Sequence, residues 1–383
     1  MLERIRVRNF KAIADAKLEL TLLHLLIGPN DSGKTSFLEA IAALSRSLDH
    51  PIDRTFLGRW RGRQLVHSGS VESVVELEGV LKGNFVNGIY RLKCEFPGEN
   101  RETRLIAADW NGDERRDLIY GNDTCTGSAS TVHAAKNTNF AVSTVLRDAI
   151  APCWYLRWTA RNLALPVTLD PNRRLRIDGS GFGLPTLLDD LLGVDRERFG
   201  QLEKTLCDWF PDVAQLKLYQ EEAFSSPIDD PQETLRLQPG NGKQLYFRLK
   251  NGNEIPAPQA AEGLLYALAY LAILHLPEPP KVLLVEEPEN GIHPAMVRRI
   301  VGLLRRLTVD HPDTQVIMAS HSPYLVDEMR PEEVTWLRRI DGNVVTQRLD
   351  KNETVQRQQG LFELGEIWSN YLDPLAGASS DEG

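Results

Sequence analysis

Eight residues constrain this chain more than any others. Gly28-Pro29-Asn30-Asp31-Ser32-Gly33-Lys34-Thr35 matches the pattern G-x-x-x-x-G-K-[ST] in full. An apolar run, Leu22 to Ile27, precedes it and reads as a buried strand. A helix is expected after it, from about Gly33 to Leu48, with Phe37, Leu38, Ile41, Ala42 and Leu44 on its inner face. The chemistry needs this order. Glycines let successive backbone N–H groups curl around phosphate oxygens, and the start of the helix adds partial positive charge. Lys34 can reach the terminal phosphates, and the Thr35 hydroxyl can ligate Mg²⁺. Gly28, Asn30, Asp31, Ser32, Gly33, Lys34, Thr35 and Ser36 are therefore expected to bind a nucleotide.

Two further segments fit that expectation. Lys281-Val282-Leu283-Leu284-Val285 is a buried strand running into Glu286-Glu287-Pro288. Carboxylates at the C-terminal end of a central strand occupy the crevice where α/β sheets bind ligands. One could hold Mg²⁺ and the next polarise an attacking water, or both could simply solvate the strand end. Downstream, Val316-Ile317-Met318-Ala319 leads into Ser320-His321-Ser322-Pro323. His321, at a strand terminus, could bond a γ-phosphate or the attacking water, although alone such a residue is more often a surface or capping histidine. No N-K-x-D follows the phosphate loop, which argues against a GTPase.

The rest of the chain supplies the setting. Residues 71–120 read as antiparallel strands broken at Asn87-Gly88 and Asn111-Gly112. A Ser/Thr/Asn/Gly-rich loop is expected over 121–139, and helices over 182–210. Strands and helices then alternate: a hairpin turning at Asn251-Gly252, helix 262–276, strand 281–285, helix 295–308, strand 314–319 and helix 322–329. A last hairpin turns at Asp341-Gly342-Asn343, and the final ASSDEG reads as a disordered tail. Such alternation implies a parallel sheet covered by helices. With 383 residues, 42% of them hydrophobic, the chain can bury a substantial core. The charge balance, 44 Lys and Arg against 53 Asp and Glu, excludes a whole-surface nucleic-acid binder. The four cysteines, Cys94, Cys125, Cys153 and Cys207, fit neither a zinc spacing nor a CxxC pair. No secretory leader or membrane-spanning stretch is seen, so a cytoplasmic protein is expected.

In order, the segments NFKAI, GPNDSGKTS, EGLLYALAYLAIL, LLVEEPENGIHP and ASHSPYLVD resemble the ABC-type ATPases of the SMC/RecF/OLD group, particularly stand-alone members among prokaryotic defence ATPases. The resemblance covers nearly the whole chain. It implies an α/β P-loop NTPase fold: an ABC-ATPase head with an antiparallel β subdomain and a small helical lobe. Residues 1–175 would form the first ATPase lobe, 176–232 the helical lobe, and 233–383 the second ATPase lobe. It further implies a homodimer in which two heads sandwich two ATP molecules, each phosphate loop facing the other subunit's signature turn. Lys34, Glu287 and His321 would be catalytic, with Glu287 as base and His321 as switch histidine. Thr35 and Glu286 would serve Mg²⁺, and Asn290 to His293 would cross the dimer interface.

The sequence departs from the group's pattern in three places. Glu286 stands where many relatives have Asp. The signature turn reads Ala260-Ala261-Glu262-Gly263, so Ala261 removes the serine hydroxyl expected to meet the partner's γ-phosphate. Losing one such charge-assisted bond costs roughly 1.5–3 kcal/mol, which would weaken the ATP sandwich or slow turnover. Ala261, Glu262 and Gly263 still offer backbone N–H groups at a helix start. The group's Q-loop glutamine has no counterpart, because Gln64 lies too early and Arg157 to Asn162 contains none.

An output module is also missing from these residues. After the switch helix only about fifty remain, too few for the TOPRIM nuclease domain of OLD proteins, and no heptads give an SMC coiled coil. A head of this kind is expected to control a separate effector such as a nuclease, in defence against phage or plasmid DNA. The alternatives are a RecF-like repair ATPase and a nucleotide-sensing scaffold with little hydrolysis. Arg59-Trp60-Arg61 with Arg63, Arg157-Trp158 with Arg161, and Arg173-Arg174 with Arg176 could contact DNA or be solvated surface. Leu361, Leu364, Ile367, Trp368, Tyr371, Leu372 and Leu375 repeat at helical spacing, a face that either packs on its own head or docks the effector.

Overall fold

A computed structural model describes the chain except residues 51, 59, 61, 84–86, 99–103, 113–115, 122–139, 171–173, 227–236 and 373–383. Most of the expected 121–139 loop, Arg59, Arg61, Arg173, Cys125, Leu375 and the C-terminal tail lie outside the described residues. The chain divides into two compact units: Met1–Tyr155 with Pro280–Pro288 and His311–Gly383, and Leu156–Pro279 with Glu289–Asp310.

The first unit holds two six-stranded sheets. One is built from β1 (Leu2–Phe10), β2 (Ile13–Glu19), β4 (Val74–Lys82), β5 (Asn87–Glu95), β6 (Arg104–Gly112) and β7 (Arg116–Gly121), in the order β2-β1-β4-β5-β6-β7. All its described pairings are antiparallel, as the alternating patterns predict, but Asn87-Gly88 and Asn111-Gly112 fall within the ends of β5 and β6 and not in the turns expected there. The other sheet uses β3 (Leu23–Ile27), β8 (Cys153–Leu156), β13 (Val282–Glu286), β14 (Gln315–Ser320), β15 (Val334–Ile340) and β16 (Asn343–Arg348), in the order β16-β15-β3-β14-β13-β8. Here β15, β3, β14 and β13 run parallel. Every residue of β3 and β14 is buried, because a parallel strand is covered on both faces.

Helix α1 (Lys34–Arg46) packs on β1 and β4 of the first sheet and on β13 and β14 of the second. Its expected inner face is fully buried, and Ala40 and Ala43 are buried too, because the helix meets a sheet on each side. Among the polar groups buried in this unit is an imidazole, that of His24. His24 contacts the Thr335 hydroxyl at 3.0 Å and the Thr21 hydroxyl at 3.1 Å, and burial pushes its pKa down to about 3.

The second unit contains α2 (Leu184–Val194), α3 (Arg196–Trp209), α4 (Glu262–Leu274) and α5 (Pro294–Asp310). Residues Leu264 to Leu274 of α4 are all buried, so this helix is apolar on every side. A four-stranded sheet joins β9 (Val167–Thr168), β10 (Val213–Ser225), β11 (Gln238–Leu249) and β12 (Glu254–Pro256). The helical expectation thus holds through Trp209, but Val213–Ser225 is a long strand paired antiparallel with β11 from Val213–Leu249 to Ser225–Gln238. Its middle, Tyr219 to Glu222, is polar and solvent-facing, which hides the alternation that would have announced it. Among the described residues no helix is long and apolar enough to cross a membrane, and Cys94, Cys153 and Cys207 are free thiols.

Candidate functional site

The strand ends set the geometry. Ser320 lies opposite Ile27, and Glu286 lies opposite Ala319, so β3, β14 and β13 finish at one level. The phosphate loop, the switch segment and the acidic pair leave the sheet there, as the crevice rule for α/β sheets requires.

Glycine is forced at the first loop position. Gly28 has φ of 151°, and a Cβ would come within 2.1 Å of the Leu337 carbonyl oxygen on β15. Asp31 also holds a positive φ, 64°, and its carboxylate pairs with Arg339 at 3.2 Å. Gly33, at φ 97°, caps α1 without a side-chain bond. Ser32 is buried. The Lys34 ammonium donates to the carbonyl oxygens of Gly28 at 2.7 Å and Pro29 at 2.8 Å, so it folds back over its own loop.

The carboxylates come next. The Thr35 hydroxyl donates to Glu286 Oε1, and the Tyr155 hydroxyl donates to Glu286 Oε2 at 2.8 Å. Glu287 takes a left-handed backbone, φ 49°, and its N–H donates to the Ala319 carbonyl at 2.8 Å. Left-handed backbone costs a non-glycine residue about 1–3 kcal/mol and persists where surrounding contacts hold it. Its Oε1 stands 3.5 Å from His321 Nδ1, and both side chains are solvent-accessible. Behind them, the Ser322 N–H donates to the Ser320 hydroxyl at 2.9 Å and shapes the switch turn.

These groups surround one cavity of about 300 Å³, lined by Ala12, Asn30 to Ser36, Glu286, Glu287 and Ala319. The nucleotide-binding candidates Asn30 to Ser36 and the acidic pair are thereby gathered in one place, with His321 against Glu287. Hard oxygen donors from Thr35 and Glu286 meet at its wall, and no group of three or more His, Cys, Asp or Glu able to cage a metal occurs among the described residues. That donor set fits Mg²⁺, which takes one or two protein oxygens and completes its shell with phosphate and water.

Ala261, Glu262 and Gly263 belong to the second unit and form none of this lining. Ala261 is the N-cap of α4, in extended conformation and without a side-chain bond. Ala261 and Glu262 are exposed. Gly291, φ 69°, lies against this helix start, where a Cβ would come within 2.7 Å of the Tyr266 ring and 3.2 Å of the Glu262 carboxylate. Gly291, within the Asn290 to His293 loop, is thus packed on the signature-like turn of its own unit.

Sequence reasoning missed Tyr155 and Arg339. Tyr155 lies in β8, and only the sheet order, which puts β8 beside β13, brings its hydroxyl to Glu286. Arg339 is the second of two adjacent arginines in β15, and only the pairing of β15 with β3 brings it to the phosphate loop.

Comparison with known proteins agrees with this arrangement. Residues 1–147 match the model of an AAA ATPase domain, and residues 175–327 match an AAA domain described as a candidate AbiEii toxin of a type IV TA system. An OLD nuclease of Thermus scotoductus is 25% identical over 378 residues, covering 95% of this chain and 68% of that protein. Among solved structures, an Smc head bound to the C-winged helix domain of ScpA superposes with a TM-score of 0.55 at 15% identity, covering 91% of this chain and 98% of that one. An Smc head with an extended coiled coil, bound to the C-terminal domain of ScpA derived from Pyrococcus furiosus, gives 0.53 at 12% identity over 93% and 98%. A complete phosphate loop, an acidic strand end and a parallel sheet thus stand in a chain that matches AAA ATPase domains over residues 1–147 and 175–327 and has the fold of an Smc head.

Proposed function

We propose that this chain binds ATP with Mg²⁺ at the Gly28–Ser36 loop and hydrolyses it, and that ATP-driven pairing of two heads controls a separate effector. The observation that carries the reading is the cluster Thr35–Glu286 and Glu287–His321 at the mouth of a phosphate-loop cavity. Thr35 and Glu286 would hold Mg²⁺, which neutralises phosphate charge as the γ-phosphoryl group departs. Lys34 exchanges its two carbonyl partners for phosphate oxygens, so entry of the triphosphate also releases the loop from its closed form. Glu287 Oε1 accepts the proton of the attacking water, and His321 orients the same water or the γ-phosphate. The signature-like turn of a second copy completes the site through the N–H groups at the start of α4, with Ala261 making this contact weak.

The effector reading is supported by the C-terminal segment. Leu364, Ile367, Trp368 and Leu372 are buried, whereas Leu361, Phe362 and Tyr371 are exposed, so the apolar residues divide between packing and an open surface. The expected helix is also shorter, covering Leu364–Ile367 before a π-turn over Trp368–Leu372. The AbiEii-type domain match and the OLD nuclease relative favour a defence role with a nuclease effector. Direct DNA contact belongs to the RecF-like alternative, and the exposed Arg157 and Arg161 are where it would be sought.

The test is ATP turnover and size-exclusion behaviour of the wild type and Glu287→Gln, each with and without ATP. Turnover in the wild type, with an ATP-trapped dimer of the variant, is the expected result. ATP-dependent dimers with no turnover in either would establish the nucleotide-sensing scaffold instead. That second reading rests on the bare Ala261 cap.

A further inference from the structure

Glu286 is held from two sides. Its Oε1 accepts the Thr35 hydroxyl, and its Oε2 accepts the Tyr155 hydroxyl at 2.8 Å. Tyr155 is only 9% exposed and packs in the core cluster of the first unit, so its phenol is a fixed point. It also ends that unit's first segment, directly before Leu156 begins the second unit. A glutamate has one more rotatable bond than an aspartate and needs correspondingly more restraint to present one oxygen in one place.

We infer that Tyr155 is a positioning residue for the metal side of the site, and that it makes glutamate workable at position 286. The phenol fixes Oε2 and leaves the Thr35-side oxygen, Oε1, directed at the cavity. It does so from β8, the strand beside β13. The inference rests on the Mg²⁺–ATP reading of the site.

The experiment is a cycle of Tyr155→Phe, Glu286→Asp and the double variant. Mn²⁺ binding is titrated in the presence of a non-hydrolysable ATP analogue, and analogue binding is measured in EDTA. Outer-sphere partners of a metal ligand typically govern affinity by about 10–100-fold, so Tyr155→Phe should weaken Mn²⁺ binding by about tenfold. Metal-free analogue binding and the melting temperature should stay near wild type, because the ring remains. In the Glu286→Asp background the shorter acid no longer reaches the phenol, and Tyr155→Phe should then change Mn²⁺ affinity less than about twofold. Equal losses in both backgrounds would overturn the inference, as would an equal loss of metal-free and metal-bound nucleotide. If the aspartate variant binds no Mn²⁺, the split between metal-free and metal-bound affinity in Tyr155→Phe alone decides. A wild type whose analogue binding ignores Mn²⁺ would overturn the Mg²⁺–ATP reading itself, and this inference with it.

Discussion

The phosphate-loop region and the signature-like turn are both helix starts without a side-chain cap bond, and they differ in what surrounds them. At the first, functional side chains already have partners: Lys34 on two carbonyls, Thr35 on Glu286, Glu286 on Tyr155, and Glu287 against His321. At the second, Ala261 caps α4 with no side-chain bond, beside the exposed Glu262. A site whose groups are preorganised needs only its ligand, whereas an uncapped, exposed helix start leaves donors for something outside the chain. Under the proposed function, the first region would bind the nucleotide and the second would meet a second copy.

The largest effect expected from breaking this contrast is at Gly28. Gly28→Ala would drive a Cβ to 2.1 Å from the Leu337 carbonyl, and no flexible side chain is available to yield. We expect ATP binding to be lost and the first unit to be destabilised by about 3 kcal/mol or more, read by labelled-nucleotide titration and thermal melting. Next comes Glu287→Gln, which should lower turnover by about 10²–10⁴-fold while nucleotide affinity stays within a few-fold. If affinity fell as far as turnover, Glu287 would be part of the binding surface and not the base.

Ala261→Ser sharpens the comparison from the other side. Restoring a hydroxyl should strengthen ATP-dependent dimerisation by at least about tenfold, the low end of what one charge-assisted bond is worth, with no change in monomer nucleotide affinity. Sedimentation at several protein concentrations would measure both. Unchanged dimerisation would mean that this turn does not meet the partner's phosphate.

A pH effect follows from His24. Its folded pKa, pushed to about 3 by burial, lies below the ordinary 6.5. The unfolded chain therefore takes up a proton that the folded chain refuses, so stability is complete above pH 6.5 and declines as pH falls toward 3. His24→Asn should melt lower at pH 7 yet show a flatter profile between pH 6.5 and 4. The smallest effect belongs to the exposed C-terminal residues. Leu361→Ala and Phe362→Ala should change stability by no more than about 0.5 kcal/mol and leave ATP turnover intact, as surface substitutions do. A large loss of stability would make this surface part of the head's own packing.

Much of the first unit was legible because its signals are local. The loop spacing, the apolar runs of β3 and β13 and the period of α1 are short-range patterns, and each element forms where they fall. The uniformly apolar α4 was legible for the same reason. Strand β10 was not, since its exposed polar middle carries no period and the strand exists through pairing with β11. The C-terminal segment showed helical spacing, but its helix stops after one turn. There Gly365 packs hard against the Pro323 carbonyl and donates its N–H to Asp327 at 2.6 Å.

The amino-acid sequence by itself determined the chemistry on offer: a phosphate loop, a pair of carboxylates, a histidine, and an alanine where a serine was expected. It did so because phosphate binding and strand burial are written in residue type and near-neighbour spacing. Only the tertiary structure decided that Tyr155 meets Glu286 and that Arg339 meets Asp31. These contacts join residues 131 and 308 positions apart through sheet order, and no local pattern records which strand becomes whose neighbour.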